Sequence, residues 1–226
     1  MPILDEFGTA IKPQRPTIGQ VKARFDAAQT TDENTRHWAN ADLLGPQSEL
    51  DPAVRSKVRS RARYEAANNT YCAGMLRTLA NDTIGTGPAL QCQSGSRDAD
   101  TELEMRFWEW SQAVDLPRKL RLMRESKARD GEVFASLRTN PRLRVPVQLD
   151  ILLHESEMVA EPAMSLNVSS LTDGIVLDDF GNPLAYRLLL DHPGERVLSM
   201  GGLQAETIPA RDMIHLFHAT RPGAAR

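Results

Sequence analysis

The sequence predicts an α+β fold, with N-terminal helices followed by a mainly antiparallel β-sheet. Three observations carry this reading. Between Asp51 and Asp130 the apolar residues recur at spacings of three and four, the period of one helix face. After Gly131 the period drops to two, as in Val147-Gln148-Leu149-Asp150-Ile151, which alternates apolar and polar like a half-buried strand. Further on, Asp179-Phe180-Gly181-Asn182-Pro183 separates two strand-like runs and reads as a hairpin turn, because Gly and Asn tolerate positive φ and Pro suits the edge of the returning strand. Helices first and strands afterwards is the order of an α+β domain, and no internal repeat interrupts it.

Residues 1–45 read as an arm, and 46–226 as one domain. The arm mixes Pro13 and Pro16 with a polar run from Gln29 to Asn34. A short helix fits residues 18–28, where Val21, Phe25 and Ala28 share a face, and the isolated Trp38 needs a burial site. Such a segment is expected to be held by another surface. Asp51-Pro52 starts the first long helix: Asp51 is the N-cap and Pro52 fits the first turn, where its missing donor is not needed. The helix is expected to reach about Asn81, burying Val54, Val58 and Ala62 and then Tyr71, Met75 and Leu79. Gly85-Thr86-Gly87-Pro88 stops it. A second helix is predicted over residues 100–113, with Leu103, Phe107, Trp110 and Val114 as its core stripe. A third starts near Pro117, carries Leu120 and Met123, and ends at Asp130-Gly131. Strands are expected at 132–137, 147–151, 174–178, 184–188 and 212–217.

The totals bound the function. Hydrophobic residues make up 41% of the 226, charged residues 25%, and the formal net charge is -3. That is a globular balance, without the overall positive charge of a free nucleic-acid-binding domain. Cys72 and Cys92 belong to no CxxC pair and are expected as reduced thiols. The N-terminus lacks a basic segment leading into an apolar run, so no signal peptide is expected. No stretch approaches about 18 continuous apolar residues, so no membrane span is expected either.

Motifs for chemistry are incomplete. His154-Glu155-Ser156-Glu157-Met158 starts like the HExxH zinc motif, but Met158 replaces the second ligand, and His154 reads as a solvated turn residue. Asp178-Asp179-Phe180-Gly181-Asn182 lacks the alternating ligands and distal Glu of a calcium loop. Gly85-Thr86-Gly87 lacks the Lys-Ser or Lys-Thr of a phosphate loop and follows a helix instead of a strand. His215 and His218, three apart on a strand, point to opposite faces. No catalytic, cofactor-binding or metal-binding residue is assigned.

The basic clusters are more informative. Arg55, Lys57, Arg59, Arg61 and Arg63 follow one another without an acid between Pro52 and Tyr64. Arg118, Lys119, Arg121, Arg124, Lys127 and Arg129 form a second set, and Arg138, Arg142 and Arg144 a third. They are read as solvated helix faces or as partners of acidic segments such as Asp98, Asp100, Glu102 and Glu104 in another subunit. Phosphate contact is the alternative.

Four blocks then carry a resemblance. The first is Arg61-Ala62-Arg63-Tyr64-Glu65-Ala66-Ala67-Asn68-Asn69-Thr70-Tyr71, running on to Asn81-Asp82-Thr83-Ile84-Gly85-Thr86-Gly87. The second is Phe107-Trp108-Glu109-Trp110 with Val114-Asp115-Leu116 and Gly131-Glu132-Val133-Phe134. The third is Asp173-Gly174-Ile175-Val176-Leu177-Asp178 with Gly181-Asn182-Pro183-Leu184-Ala185-Tyr186 and His192-Pro193-Gly194. The fourth is Ile208-Pro209-Ala210-Arg211-Asp212-Met213-Ile214-His215-Leu216-Phe217 with Arg221-Pro222-Gly223. In this order, from about residue 50 onward, they resemble the portal proteins of lambda-type tailed phages. Members usually continue the last block with Gln and an Arg-Gly-Ile/Val-Pro run and are commonly longer. The resemblance therefore implies the wing region of an incomplete subunit, without stem, clip and crown.

The resemblance implies a structural subunit, not an enzyme, and no cofactor. Its working state is a ring of about twelve subunits at the capsid vertex, closed by heterologous contacts. The implied roles are capsid assembly, DNA packaging, DNA ejection and head–tail connection. The implied partners are other portal subunits, terminase, the major capsid protein, head–tail joining proteins and the duplex DNA in the channel, with no membrane. The implied location is the virion, after assembly in the bacterial host cytoplasm. This portion alone is expected to be mainly monomeric or heterogeneous. A phage-derived DNA-binding module and a metal-dependent hydrolase with a dispersed site are the alternatives. Trp108 and Trp110 lie about 200° apart on a helix, so Trp110 is assigned to the core. Trp108 is assigned to a contact with another subunit or another layer, the chain's own arm being the other possible cover.

Overall fold

The computed structural model describes residues 35–37, 51–161, 171–194, 204–219 and 221–222. The chain divides into two units, Met1–Leu43 and Leu44–Arg226. In the first, residues 35–37 form a turn; the helix expected over 18–28 and the position of Trp38 lie outside the described residues. All elements below belong to the second unit.

Among the described residues four helices come first: α1 (Pro52–Asn68), α2 (Thr70–Ile84), α3 (Arg97–Ala113) and α4 (Leu116–Asp130). Seven strands follow among the described residues: β1 (Val133–Thr139), β2 (Leu149–His154), β3 (Leu171–Thr172), β4 (Ile175–Leu177), β5 (Pro183–Leu189), β6 (Ala205–Pro209) and β7 (Met213–Leu216). The α+β order is the expected one. The strands make two antiparallel sheets, β2-β1-β7 and β3-β4-β5-β6.

Asp51 caps α1 as expected, its carboxylate accepting from the Ala53 N–H at 2.6 Å. The single helix expected over 51–81 is instead two. Asn69 leaves helical geometry (φ -108°, ψ 108°), and its side-chain oxygen accepts from the N–H groups of Tyr71 and Cys72 at 3.0 and 3.3 Å. An Asn that supplies this oxygen offers the backbone a fresh N-cap in place of the next helical turn. Gly85 then stops α2, its N–H bonded to the Asn81 carbonyl. Gly87, at φ 101°, meets α4 so closely that a Cβ there would lie 2.7 Å from Pro117 Cγ.

The expected core stripes of the first two helices are corrected by the structure. Val58 is 57% exposed and the neighbouring Arg59 only 8%. Tyr71 and Met75 are 84% and 67% exposed, and Val54, Leu79 and Leu103 also face solvent. The inward face of α1 is its arginine face, Arg55 and Arg59, and α2 turns Ala80 inward. The stripe of α3 begins only at Phe107 and continues through Trp110 to Val114.

The core lies in two slabs on either side of β1. On one side Val133 and Ala135 of β1, with Ile151 of β2, pack against Val114, Leu116 and Met123 from the α3–α4 region. On the other, Phe134 and Met213 face Ile175, Tyr186, Leu188 and Ile208 of the second sheet. The period of two along β1 sends alternate residues into the two slabs. The hairpin turn is as expected: the Asp178 N–H donates to the Asn182 carbonyl at 2.9 Å, and Asp178 Oδ1 accepts from the Phe180 and Asn182 N–H groups. Among the described residues, no helix is long and apolar enough to cross a membrane.

The two neighbouring tryptophans separate as their helical phase demands. Trp110 packs against Phe107 at 5.7 Å between ring centroids and donates its indole N–H to the Leu149 carbonyl at 2.7 Å. Trp108 is 63% exposed. In urea denaturation Trp110→Ala is expected to cost about 3 kcal/mol, and Trp108→Ala to stay within about 0.5 kcal/mol of the parent. Equal losses from the two substitutions would contradict this division.

Candidate functional site

Arg55, Arg59 and Arg63 are spaced by four, so α1 lines them up on one face. Each meets a carboxylate from a distant segment. Arg55 pairs with Asp173, at the turn between β3 and β4. Arg59 pairs with Glu132 and donates from Nε to the Asp130 carbonyl at 3.1 Å. Arg63 donates to Asp130 at 2.9 Å and to Glu157 at 2.8 Å, with Glu155 at 3.3 Å. A buried charge is tolerated only when it is paired, and each guanidinium from Arg55 to Arg63 has a carboxylate partner.

Glu132 is the hub. Its second carboxylate oxygen lies 2.8 Å from His215 Nε2, and its backbone carbonyl accepts from the Ser156 hydroxyl at 3.0 Å. His215 is stacked between Phe134 and Phe217, at 4.2 and 4.3 Å between ring centroids. His218 is exposed. Burial alone would raise the Asp130 carboxyl, but hydrogen bonds from Arg129 and Arg63 and their charges outweigh it and hold its pKa below the ordinary value.

The other basic residues are also largely engaged within the chain. Arg118 pairs with Asp115, Lys119 with Asp150 at 2.6 Å, and Arg121 donates to the Gly85 carbonyl at 2.9 Å. Arg138 grips Glu206 with two bonds of 2.8 and 2.6 Å and ties β1 to β6. Several of these cations thus pair within the chain, where the sequence suggested solvated faces or acidic partners in another subunit. Lys57, Arg61, Arg142 and Arg144 remain exposed. In the acidic segment, Asp100 and Glu104 accept from the Ser94 and Cys92 N–H groups, and Glu102 pairs with Arg106.

His154 is not the solvated turn residue the sequence suggested. It ends β2, half-buried, with its Nε2 2.8 Å from the Ser136 hydroxyl. Burial pushes its pKa down, and the Arg138 charge adds to that effect. Glu155, Glu157 and His192 bring ligand atoms within 4.8 Å of one another, a spacing compatible with a cation. The Arg63 guanidinium already contacts both carboxylates, so it supplies the positive charge there. Cys72 and Cys92 are free thiols.

Exposed apolar side chains mark faces of three helices among the described residues, beginning with Val54 and Val58 on α1. On α2, Tyr71, Gly74, Met75, Thr78, Leu79 and Asp82 line most of an open hollow of about 660 Å³. On α3, Met105 and Trp108 are exposed together.

Removing one partner of a buried pair leaves the other charge stranded. Arg59→Ala is therefore expected to cost about 3–5 kcal/mol, whereas Arg61→Ala changes stability by no more than about 0.5 kcal/mol; chemical denaturation at neutral pH checks both. Asp130 adds a pH signature. Its folded pKa is depressed, so its contribution is present above the unfolded value of about 3.9 and is lost as pH falls through that range. Asp130→Asn should be less stable than the parent at pH 7, with the gap closing as pH drops below about 4. A gap that stays constant with pH would exclude the carboxylate's charge as its origin.

Residues 31–226 match the family described as phage portal protein, lambda family. A probable portal protein of Halomonas phage phiHAP-1 is 25% identical over a stretch covering 94% of this chain and 43% of that relative. The chain thus spans less than half the length of the curated relative it matches. With the match running through all four helices and both sheets, the chain belongs to the lambda family of phage portal proteins.

Proposed function

We propose that this chain is a structural subunit of the portal ring at the capsid vertex, where it serves DNA packaging, DNA ejection and head–tail connection. The observation that carries the proposal is the family match over residues 31–226. In this reading, residues 46–226 are the wing-like domain and residues 1–45 an arm lying on a neighbouring subunit. The partners are other portal subunits, terminase, the major capsid protein and head–tail joining proteins, with duplex DNA passing through the ring. ATP hydrolysis belongs to the terminase, and the chain itself is not an enzyme. The ring assembles in the host cytoplasm and stays in the virion.

The ion pairs of α1 support a scaffold role. Arg55, Arg59 and Arg63 are committed to carboxylates of the same chain, which argues against the first basic cluster as a phosphate-binding helix. A DNA-binding module would instead present those cations to solvent.

Quantitative mass spectrometry of purified virions from the producing host tests the proposal. Peptides from residues 51–222 are expected at about a dozen copies per particle, the count of one closed ring. Absence from virions would overturn the assignment. A monomer whose duplex affinity falls steeply with salt would favour the DNA-binding module, and turnover that requires a divalent cation would favour the hydrolase.

A further inference from the structure

Gly74 sits inside α2, where Gly weakens a helix relative to Ala. Among the described residues nothing calls for it: a Cβ built there meets no atom within 4 Å. On its own helix the notch it leaves lies between Tyr71 and Thr78, and the exposed Met75 and Leu79 line the same hollow. A glycine in such a place suits the close approach of a bulky group from outside the chain.

The same molecule displays a bulky group of that kind. Trp108 projects from α3 beside Met105, and both are exposed. At 100° per residue, Arg97, Thr101, Met105 and Trp108 fall within about one quarter of the helix circumference. Tyr71, Met75, Leu79 and Asp82 do the same on α2. One face thus offers a hollow edged by an acid, and the other a knob with a cation further along. Asp82 and Arg97 are both exposed.

We propose that these faces are the two halves of a head-to-tail contact between copies of this chain, with Trp108 of one copy seated over Gly74 of the next. The proposal rests on reading the chain as a ring subunit and names the surfaces that meet. Antiparallel seating brings the charges together. From Gly74 to Asp82 is about 12 Å along α2, and from Trp108 back to Arg97 about 16 Å along α3. The long arginine side chain spans the difference. The contact is heterologous, with different surfaces meeting, as a closed ring of identical subunits needs.

Sedimentation velocity of the 226-residue chain over rising concentration provides the test. The parent is expected to be mainly monomeric at low concentration and to self-associate reversibly as concentration rises, and Met75→Glu or Trp108→Glu to weaken this roughly tenfold or more. An equimolar mixture of the two variants is expected to regain a dimer and nothing larger, because each retains the half that the other lost. Gly74→Ala should raise the melting temperature yet weaken association, a combination that a purely structural role does not give. Asp82→Arg and Arg97→Asp should each weaken association, and the double exchange restore it. Circular dichroism melts confirm that the variants fold. A parent that is monomeric throughout, or a mixture that fails to recover, overturns the proposal. A parent that associates equally well with either face altered also overturns it, while leaving the portal reading intact, since another surface would then join the subunits.

Discussion

The guanidinium groups of Arg55, Arg59 and Arg63 tie α1 to three segments far away in sequence: the Asp130–Glu132 junction, Glu155–Glu157, and Asp173. Most globular helices dock through an apolar stripe. This one docks through charge, and its valines face outward. The arrangement imposes conditions on its neighbours. Asp130 closes α4 while accepting from Arg63 and Arg129, and Glu132, directly before β1, faces both Arg59 and His215. The change from helix to strand at Gly131 therefore also sets the position of α1.

From that junction the layers follow. β1 is buried on both faces because it lies between β2 and β7 in its sheet and between two apolar slabs across it. Its alternation distributes Val133 and Ala135 to the helices and Phe134 and Ser136 to the other side. The polar members on that side are not left unmet. Ser136 reaches His154, and Arg138 reaches Glu206. The two sheets are thus joined by an apolar centre and a charged margin.

Much of this was legible in the sequence. Asp51-Pro52, Gly85, Asp130-Gly131 and the turn at 178–182 are local backbone devices, and each does what its residue types dictate. The order of helices and strands followed from them. What failed was the choice of face. Val54/Val58/Ala62 and Arg55/Arg59/Arg63 have the same spacing on α1, and periodicity cannot tell a buried stripe from an exposed one. The acids that decide the matter, Glu132 and Asp173, lie 73 and 118 residues away from their partners, and only tertiary structure brings them there. The spacing of four among the arginines was the available signal, but it needed a known set of buried acids to give it meaning. The break at Asn69 was masked by good helix formers on both sides. The short β3, and β6 with its run of Glu and Thr, carried too little alternation to be recognised.

Among the described residues of the second sheet, the turns at 173–174 and 178–182 are of opposite character. At Asp178–Asn182 the chain swings out with Phe180 90% exposed, held by its own Asp178. At Asp173–Gly174 both residues have positive φ. Asp173 is held by Arg55, and a Cβ at position 174 would lie 2.6 Å from the Ala160 backbone nitrogen. The first turn has room for change and the second has none. An inserted residue is therefore accommodated more readily at the Phe180 tip than at the Asp-Gly pair, which a neighbouring backbone holds in place.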